Sequence, residues 1–379
     1  KSMELVDCHR RGRGVVDLGL EDARSRVTHQ ADQFSDEFVR IRISRYHPSA
    51  PAGLALRLSS LEVGVTRRVW RTSLVSITSA LLVALGLLGF GVATNNLARR
   101  PPSEPELRRA LDRAITWLVA NRARIEADPN PALWWMLASA NNELDGDSRL
   151  TSLVSEYRNQ MQSASFSRSP WRMLFDGPEA APYNLANQLV GMPGYNVFFL
   201  YGLSCSAQLA QLSEVQDELV GNFCPSIWVL TPHCATHQLM GLLWGLQNRC
   251  DGTSPKVGLE VISSIRRQLV FDFRVDDAYI QRTLMLARSN DWRFTLKPVW
   301  IDRTIDAQLE DGGWDSAARL FRLTASKYVV IGDKGIAIRE PTSSFHTTAQ
   351  GLWLTAHLLS QHADQSTGLA MWYRFPSAR

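Results

Sequence analysis

The sequence predicts an all-α protein: one transmembrane helix followed by an exported domain of helix hairpins carrying a single small β-hairpin. Three observations carry this. Thr72 to Ala98 holds no charged residue. From Leu107 onward, apolar residues recur at helical spacing between short Gly/Pro/Asp connections. Only Lys327 to Arg339 breaks that period, with β-branched residues around a Gly-bounded turn.

The N-terminal arm, residues 1–68, mixes Arg with acidic residues and has no sustained apolar period. Two readings are open for it: a disordered cytoplasmic tail, or sequence upstream of a natural start near Val63 or Val69. The anchor follows at 72–94. Its run Leu74–Ala93 is apolar or small almost throughout, and about 20 such residues make a helix of roughly 30 Å, the thickness of a bilayer's hydrocarbon core. A core helix would carry a polar stripe, and Leu81–Val92 has none. Gly91-Val92-Ala93 offers a small-residue cleavage site, but signal-peptide apolar cores run about 7–15 residues, so the length favours an uncleaved anchor. Arg67, Arg68 and Arg71 precede the run, Arg99 and Arg100 follow it, and the first basic flank places the N-terminus in the cytoplasm.

Beyond Pro101-Pro102 the helices follow closely. Leu107, Ala110, Leu111, Ala114, Ile115 and Leu118 define one buried face. Asn130-Pro131 starts the next helix as cap and first residue, and Asp145-Gly146-Asp147 stops it. Further helices are expected over Leu150–Met161, Asn196–Leu212, His233–Gln247, Lys256–Leu269, Asp276–Ala287, Ile301–Gln308 and Thr347–Leu359. The domain so defined covers residues 104–363. The net charge is +4, but arginine greatly outnumbers lysine throughout and no basic cluster interleaved with aromatics occurs, which argues against nucleic acid as a partner. Of the five cysteines, Cys205, Cys224, Cys234 and Cys250 all fall in the exported part and suit two disulfides in an oxidising compartment. Of three possible pairings, Cys224–Cys234 with Cys205–Cys250 is preferred, because the former closes a short loop containing Pro225 and Pro232.

Gln308-Leu309-Glu310-Asp311-Gly312-Gly313-Trp314 has the form Gln-x-x-Asp-Gly-Gly-Trp at a helix end. It resembles the repeat motif of the squalene/terpenoid cyclases and the matching turn of protein prenyltransferase β subunits. Ala110–Leu118 is similar to the outer helices of that superfamily and Phe345–Leu352 to its inner ones. The resemblance implies an α/α toroid, an inner ring of helices wrapped by an outer one. Glycines permit the turn, Asp can cap the next helix, and Trp packs across neighbouring hairpins. The superfamily's chemistries do not carry over. Asp272-Phe-Arg-Val-Asp276-Asp277 has the wrong spacing for the cyclase acid motif. Gly313 stands where prenyltransferases have a zinc-binding Cys, although His346 stands where their zinc-binding His would be expected.

Candidate chemistry is confined to helix starts. His233 and His237 share one face at a spacing of four, as a helix offers two nitrogens to zinc, with His346 as a third ligand from afar. A structural role for both histidines is the leading alternative, followed by a polar cavity wall with catalytic or ligand contacts, and zinc comes after both. Asp276 and Asp277 begin another helix, and since neighbours there point about 100° apart, only one can face a cavity. Tyr183, Asn184 and Asn187 offer a further polar start. The catalytic candidates are His237, His346 and Asp277, with no cofactor required and zinc as the one metal to consider.

The expectation is therefore a bacterial, single-pass cytoplasmic-membrane protein whose periplasmic or extracytoplasmic toroid binds a small molecule, glycan or peptide, with hydrolase, lyase or transferase chemistry open. Two rivals stand beside it: a non-catalytic interaction domain of a cell-envelope or secretion assembly, and a cyclase-like enzyme acting on an isoprenoid lipid.

Overall fold

The computed structural model describes residues 67–128, 130–160, 169–180, 188–189, 191–221, 234–289, 296–332 and 335–366. The arm before residue 67 lies outside them. Everything from Val65 onward forms one compact unit. Its helices are α1 (Arg67–Asn95), α2 (Glu104–Ala120), α3 (Arg122–Glu126), α4 (Pro131–Glu143), α5 (Ser148–Gln160), α6 (Met173–Asp176), α7 (Gly194–Ser204), α8 (Ala207–Ala210), α9 (Ser213–Leu219), α10 (Cys234–Asn248), α11 (Pro255–Phe271), α12 (Asp277–Arg288), α13 (Pro298–Asp306) and α14 (Phe345–Ser366). Between α13 and α14 lie β1 (Trp314–Asp315), β2 (Ala318–Arg322), β3 (Tyr328–Gly332), β4 (Gly335–Arg339) and β5 (Ser343–Ser344). The protein is mostly helical, as the periodicity predicts.

Local chemistry explains the boundaries. Asn130 caps α4, its Oδ1 accepting from the Ala132 N–H at 3.0 Å. That helix stops where Asp145 and Gly146 turn left-handed. Asp276 caps α12 through the Tyr279 N–H at 3.0 Å. Two expectations are corrected. The helix expected over Asn196–Leu212 breaks after Ser204, because Cys205 takes a left-handed φ of 49° where it is tied to Cys250, and the chain restarts as α8. The β-hairpin is the outer part of a three-stranded antiparallel sheet in the order β2-β3-β4, with β1 and β5 as a separate short ladder. Its extra strand β2 has the exposed, Arg-rich pattern of a surface strand, which apolar periodicity does not detect.

Five helices line up in parallel. Tyr195 and His237 touch at the starts of α7 and α10, and Cys205–Cys250 joins the same two helices beyond their ends. Asp277 and His346 meet at the starts of α12 and α14, while His357, further along α14, reaches the Ala287 carbonyl near the end of α12. Trp134 meets Phe345 near the starts of α4 and α14, and Glu143 at the end of α4 meets Trp353. The principal packing runs α4–α14–α12–α10–α7. Trp135 against Phe199 (5.5 Å between centroids) returns from α4 to α7. The space between them is filled by Trp135, Phe199, Trp244 and Trp353 in mutual edge contacts. The other major helices pack outside: α2 on α14, α5 on α4, α9 on α7, α11 on α10 and α12, and α13 on α12.

The Gln308–Trp314 turn locks α2, α13 and α14 together. Gly312 has a φ of 98°, and a Cβ there would sit 2.3 Å from the Arg113 carbonyl oxygen. Gln308 donates to the carbonyls of Ala110 and Gly312, each at 2.8 Å. Trp314 is fully buried, its indole donating to Thr304 O at 2.7 Å. Asp311 does not cap a helix as expected. It accepts from Gly313 N, Ser343 Oγ and the Trp117 indole, because the chain continues from it as a strand.

Among the described residues, no helix is long and apolar enough to cross a membrane. The anchor expected over 72–94 rests in part on side chains outside that set, Leu74, Val75, Ile77, Ala80 and Ala84 among them. A Cβ on Gly91 would come within 2.4 Å of Phe271 O, so only glycine permits this approach to α11. Asn95 is fully buried. Its amide donates to Asp272 O at 2.6 Å, and its Oδ1 accepts from Tyr279 Oη at 3.0 Å and from the Arg303 guanidinium.

Candidate functional site

The starts of the parallel helices gather the polar residues singled out in the sequence. Asp276 and Asp277 divide their work: Asp276 turns back to cap α12, and Asp277 turns across to α14. There the His346 Nδ1 stands 2.9 Å from Asp277 Oδ1, and Thr347 Oγ1 donates to the same oxygen at 2.8 Å. The carboxylate is buried, 8 % exposed, whereas the imidazole side chain is 40 % exposed. A sheltered acid thus holds a solvent-facing histidine. With Nδ1–H donated to Asp277, the acceptor lone pair lies on Nε2, which faces the Gln350 amide nitrogen at 3.3 Å. Gln350 Oε1 is buried without a hydrogen-bond partner among the described residues.

His237 is half-buried in the first turn of α10, its ring 4.4 Å from that of Tyr195. Its neighbour Thr236 donates to Gln281 Oε1 on α12 at 2.8 Å. Contacts therefore pass from α7 to α10 to α12 to α14 through first- and second-turn residues. Gln281 is a residue the sequence sets near the cavity-facing carboxylate, whereas Tyr195, Thr236, Thr347 and Gln350 are not singled out by sequence reasoning. For Thr347 and Gln350 the signal was present, since both lie within one turn of His346.

Of the zinc pair, His233 lies outside the described residues, as do Cys224, Tyr183, Asn184 and Asn187. Cys234 is disulfide-bonded, and Cys205–Cys250 is a disulfide with Cα atoms 4.8 Å apart. Among the described residues, no group of three His, Cys, Asp or Glu side chains could hold a metal ion.

A second polar cluster stands at the far end of the same helices. Glu143 accepts from the Trp353 indole at 3.0 Å, pairs with His357 Nδ1 at 2.9 Å and forms an ion pair with Arg288, whose guanidinium lies over the Trp353 ring. Burial pushes the Glu143 carboxyl up, but His357 together with Arg288 and Trp353 holds it below its ordinary range. The Glu143 carboxylate, the Trp353 indole and both ring nitrogens of His357 are engaged, and the cluster reads as a structural clasp.

Two clefts lie elsewhere. One of about 310 Å³ is lined by Gln238, Glu260, Ser264 and Arg267 among others, and one of about 250 Å³ by Trp117, Arg124, Asp311 and Thr342 among others. His237, Asp277 and His346 line neither. Comparison of the chain with family profiles, curated proteins and solved structures gives no match.

Proposed function

We propose that the chain is a membrane-anchored, extracytoplasmic α/α-toroid protein that binds a small ligand at the rim where its inner helices begin, with His346 as the acid–base group. The observation that carries this is the Asp277–His346 pair at the starts of two parallel helices. A buried carboxylate on Nδ1 fixes the tautomer and raises the basicity of Nε2, the arrangement by which histidines are made general bases. Parallel helix starts turn their unpaired N–H groups to one side, which favours a carboxylate or other anionic group on the ligand. His237 and Tyr195 would supply further contacts. The aromatic cluster between the helices makes the site a shallow rim rather than a through-channel. The circuit of five parallel helices with α2, α5, α9, α11 and α13 outside it supports the toroid reading.

Anchorage is supported by the sequence of α1 and by its docked end. Gly91 lies within the small-residue cleavage site and Asn95 just after it, and both are packed into the domain, so an uncleaved anchor fits better than a signal peptide. The Cys205–Cys250 disulfide suits export. A non-catalytic interaction role is favoured by one separate observation, the exposed apolar patch of Phe321, Leu323, Ile336 and Ile338.

The site is tested by calorimetric titration of small carboxylates and acidic sugars into the wild-type chain, His346→Ala and His237→Ala. Wild type should bind members of the set that both variants lose, with unfolding midpoints unchanged. Equal binding by all three chains, or no binding by wild type, would sink the rim site. For topology, a cysteine introduced at an exposed position after residue 104 should react with an impermeant thiol reagent in intact cells. Labelling only after the membrane is opened would reverse the orientation.

A further inference from the structure

The outer edge of the three-stranded sheet is built to pair with itself. β4 is the terminal strand of the order β2-β3-β4, so one of its edges is open among the described residues. Natural edge strands are blunted by charge, proline or bulges. From Gly335 to Ile338, β4 has none of these, and Ile336 and Ile338 are 71 % and 64 % exposed. Phe321 on β2 and Ile338 on β4 both pair with Val329 of β3, which places them on one face of the sheet.

The direction of the free backbone groups follows from the register. Gly332 pairs with Gly335 across a two-residue connection, and such a hairpin closes on a hydrogen-bonded pair. Pairs then alternate along the ladder. Gly335, Ala337 and Arg339 spend their N–H and C=O groups on β3, and Ile336 and Ile338 point theirs outward.

We propose that β4 is a homodimerisation edge, along which two copies of this chain pair antiparallel about a two-fold axis at Ala337. That axis sets Ile336 against Ile338 of the second copy and Ile338 against Ile336. These are the two residues with outward groups, so each donor meets an acceptor with no slip in register. Ala337 faces its own counterpart as a non-hydrogen-bonded pair, and the small side chain suits that close spacing. The isoleucines of the two copies become cross-strand neighbours. Arg339 is held away by its paired hydrogen bonds to Asp315, at 2.8 and 2.6 Å. The contact is isologous and closes on itself, giving a dimer with a continuous six-stranded sheet rather than a fibre.

The test uses the full chain in a non-ionic detergent. Light scattering after size exclusion should give a protein mass of two chains at micromolar concentration. Ile336→Lys sets a charged side chain against Ile338 of the second copy in each new pair, and Ile338→Pro removes an outward donor while leaving the bonds to β3 intact; both should run as single chains with unchanged circular dichroism. Ala337→Cys, in a Cys8→Ser background, should oxidise to a covalent dimer, because cross-strand Cα atoms about 4.5 Å apart lie within disulfide reach. Adding Ile336→Lys should abolish that crosslink. A monomeric wild type whose Ala337→Cys variant stays uncrosslinked would overturn the proposal. So would a dimer indifferent to both edge substitutions. Labelling of Ile336 and Ile338 by a lipid-borne photoprobe in a monomeric chain would assign the patch to the bilayer instead.

Discussion

Asn95→Ala tests whether the end of the anchor helix is part of the folded domain or a tether to it. The Asn95 side chain is fully buried, and three groups depend on it: the Asp272 carbonyl, the Tyr279 hydroxyl and the Arg303 guanidinium. Arg303 keeps a second acceptor, Phe273 O at 2.8 Å, so its loss is partly covered. The Asp272 carbonyl and the Tyr279 hydroxyl lose the partner that Asn95 gives them. Tyr279 Oη keeps its hydrogen bond with Arg303, so the Asp272 carbonyl is the group left unpaired; a buried polar group in that state costs roughly 1–3 kcal/mol, a destabilisation of about 2 kcal/mol. For a domain of this size that is a fall in Tm of roughly 4–8 °C. The neighbouring Asn96 is the control. It is exposed on the same turn, accepts from Lys297 and donates to Val92 O at 2.6 Å, contacts that water can replace, so Asn96→Ala should stay within about 0.5 kcal/mol of wild type. Urea unfolding followed by tryptophan fluorescence reads the result, since Trp300 donates to the Asn95 carbonyl. Equal midpoints for the two variants would show that α1 is a tether and that the socket contributes nothing.

Three further perturbations have signs fixed by the structure. Glu218 is fully buried, neither carboxylate oxygen has a partner among the described residues, and burial pushes its pKa up to about 8; between its unfolded value near 4.5 and 8 the folded state therefore holds a proton that the unfolded chain has released. Stability should fall by up to about 1.4 kcal/mol per unit as pH rises through that window. Glu218→Gln should remove the fall, gaining most at pH 8 and little at pH 5, and parallel pH profiles for the two chains would refute it. Gly312→Ala should cost at least about 3 kcal/mol or prevent folding, because its Cβ would strike the Arg113 carbonyl at a φ that side chains rarely adopt; a native-like midpoint would refute the locking role of the turn. Replacing Cys205 and Cys250 together by Ala should lower stability by about 4 kcal/mol, the chain entropy of a loop of 45 residues, and a loss under about 1 kcal/mol would mean that packing of α7 on α10 already holds the ends together.

Much of the fold is legible because its signals are local. Asn130-Pro131 and Asp145-Gly146 mark the two ends of α4 through a cap and a left-handed turn, and both act within a few residues of themselves. The Gln308–Trp314 motif is legible as a packing device, since each of its residues has one geometric job. The break at Cys205 is not, because the cause is a cysteine far along the chain. The docking of α1 is hidden for the same reason. Gly91 and Asn95 look like an ordinary small residue and a polar flank until Phe271, Tyr279 and Arg303 arrive from elsewhere. β2 escapes because an Arg-rich surface strand has no buried face to mark it.

The site divides along the same line. Sequence places Asp277, His237 and His346 each in the first turn of a helix, which is a statement about single helices. That adjacent residues on a helix point about 100° apart also settles beforehand that Asp276 and Asp277 cannot share one task. What sequence withholds is the direction in which the helices run beside one another. If α12 and α14 were antiparallel, Asp277 would face the far end of α14, near His357, and His346 would stand alone in solvent. Because they run parallel, the acid that the cap leaves free meets the histidine that opens the next helix, and Thr347 fills the remaining lone pair. The pairing is therefore a property of topology acting on two unremarkable helix starts. A test of the site is at the same time a test of the parallel arrangement: exchanging the partners as Asp277→His with His346→Asp should restore a 2.9 Å-type contact and recover the stability lost in either single variant. Failure to recover it, with both single variants destabilised, would mean that burial at Asp277 tolerates only the smaller acid and that the pair is held by its surroundings rather than by its own attraction.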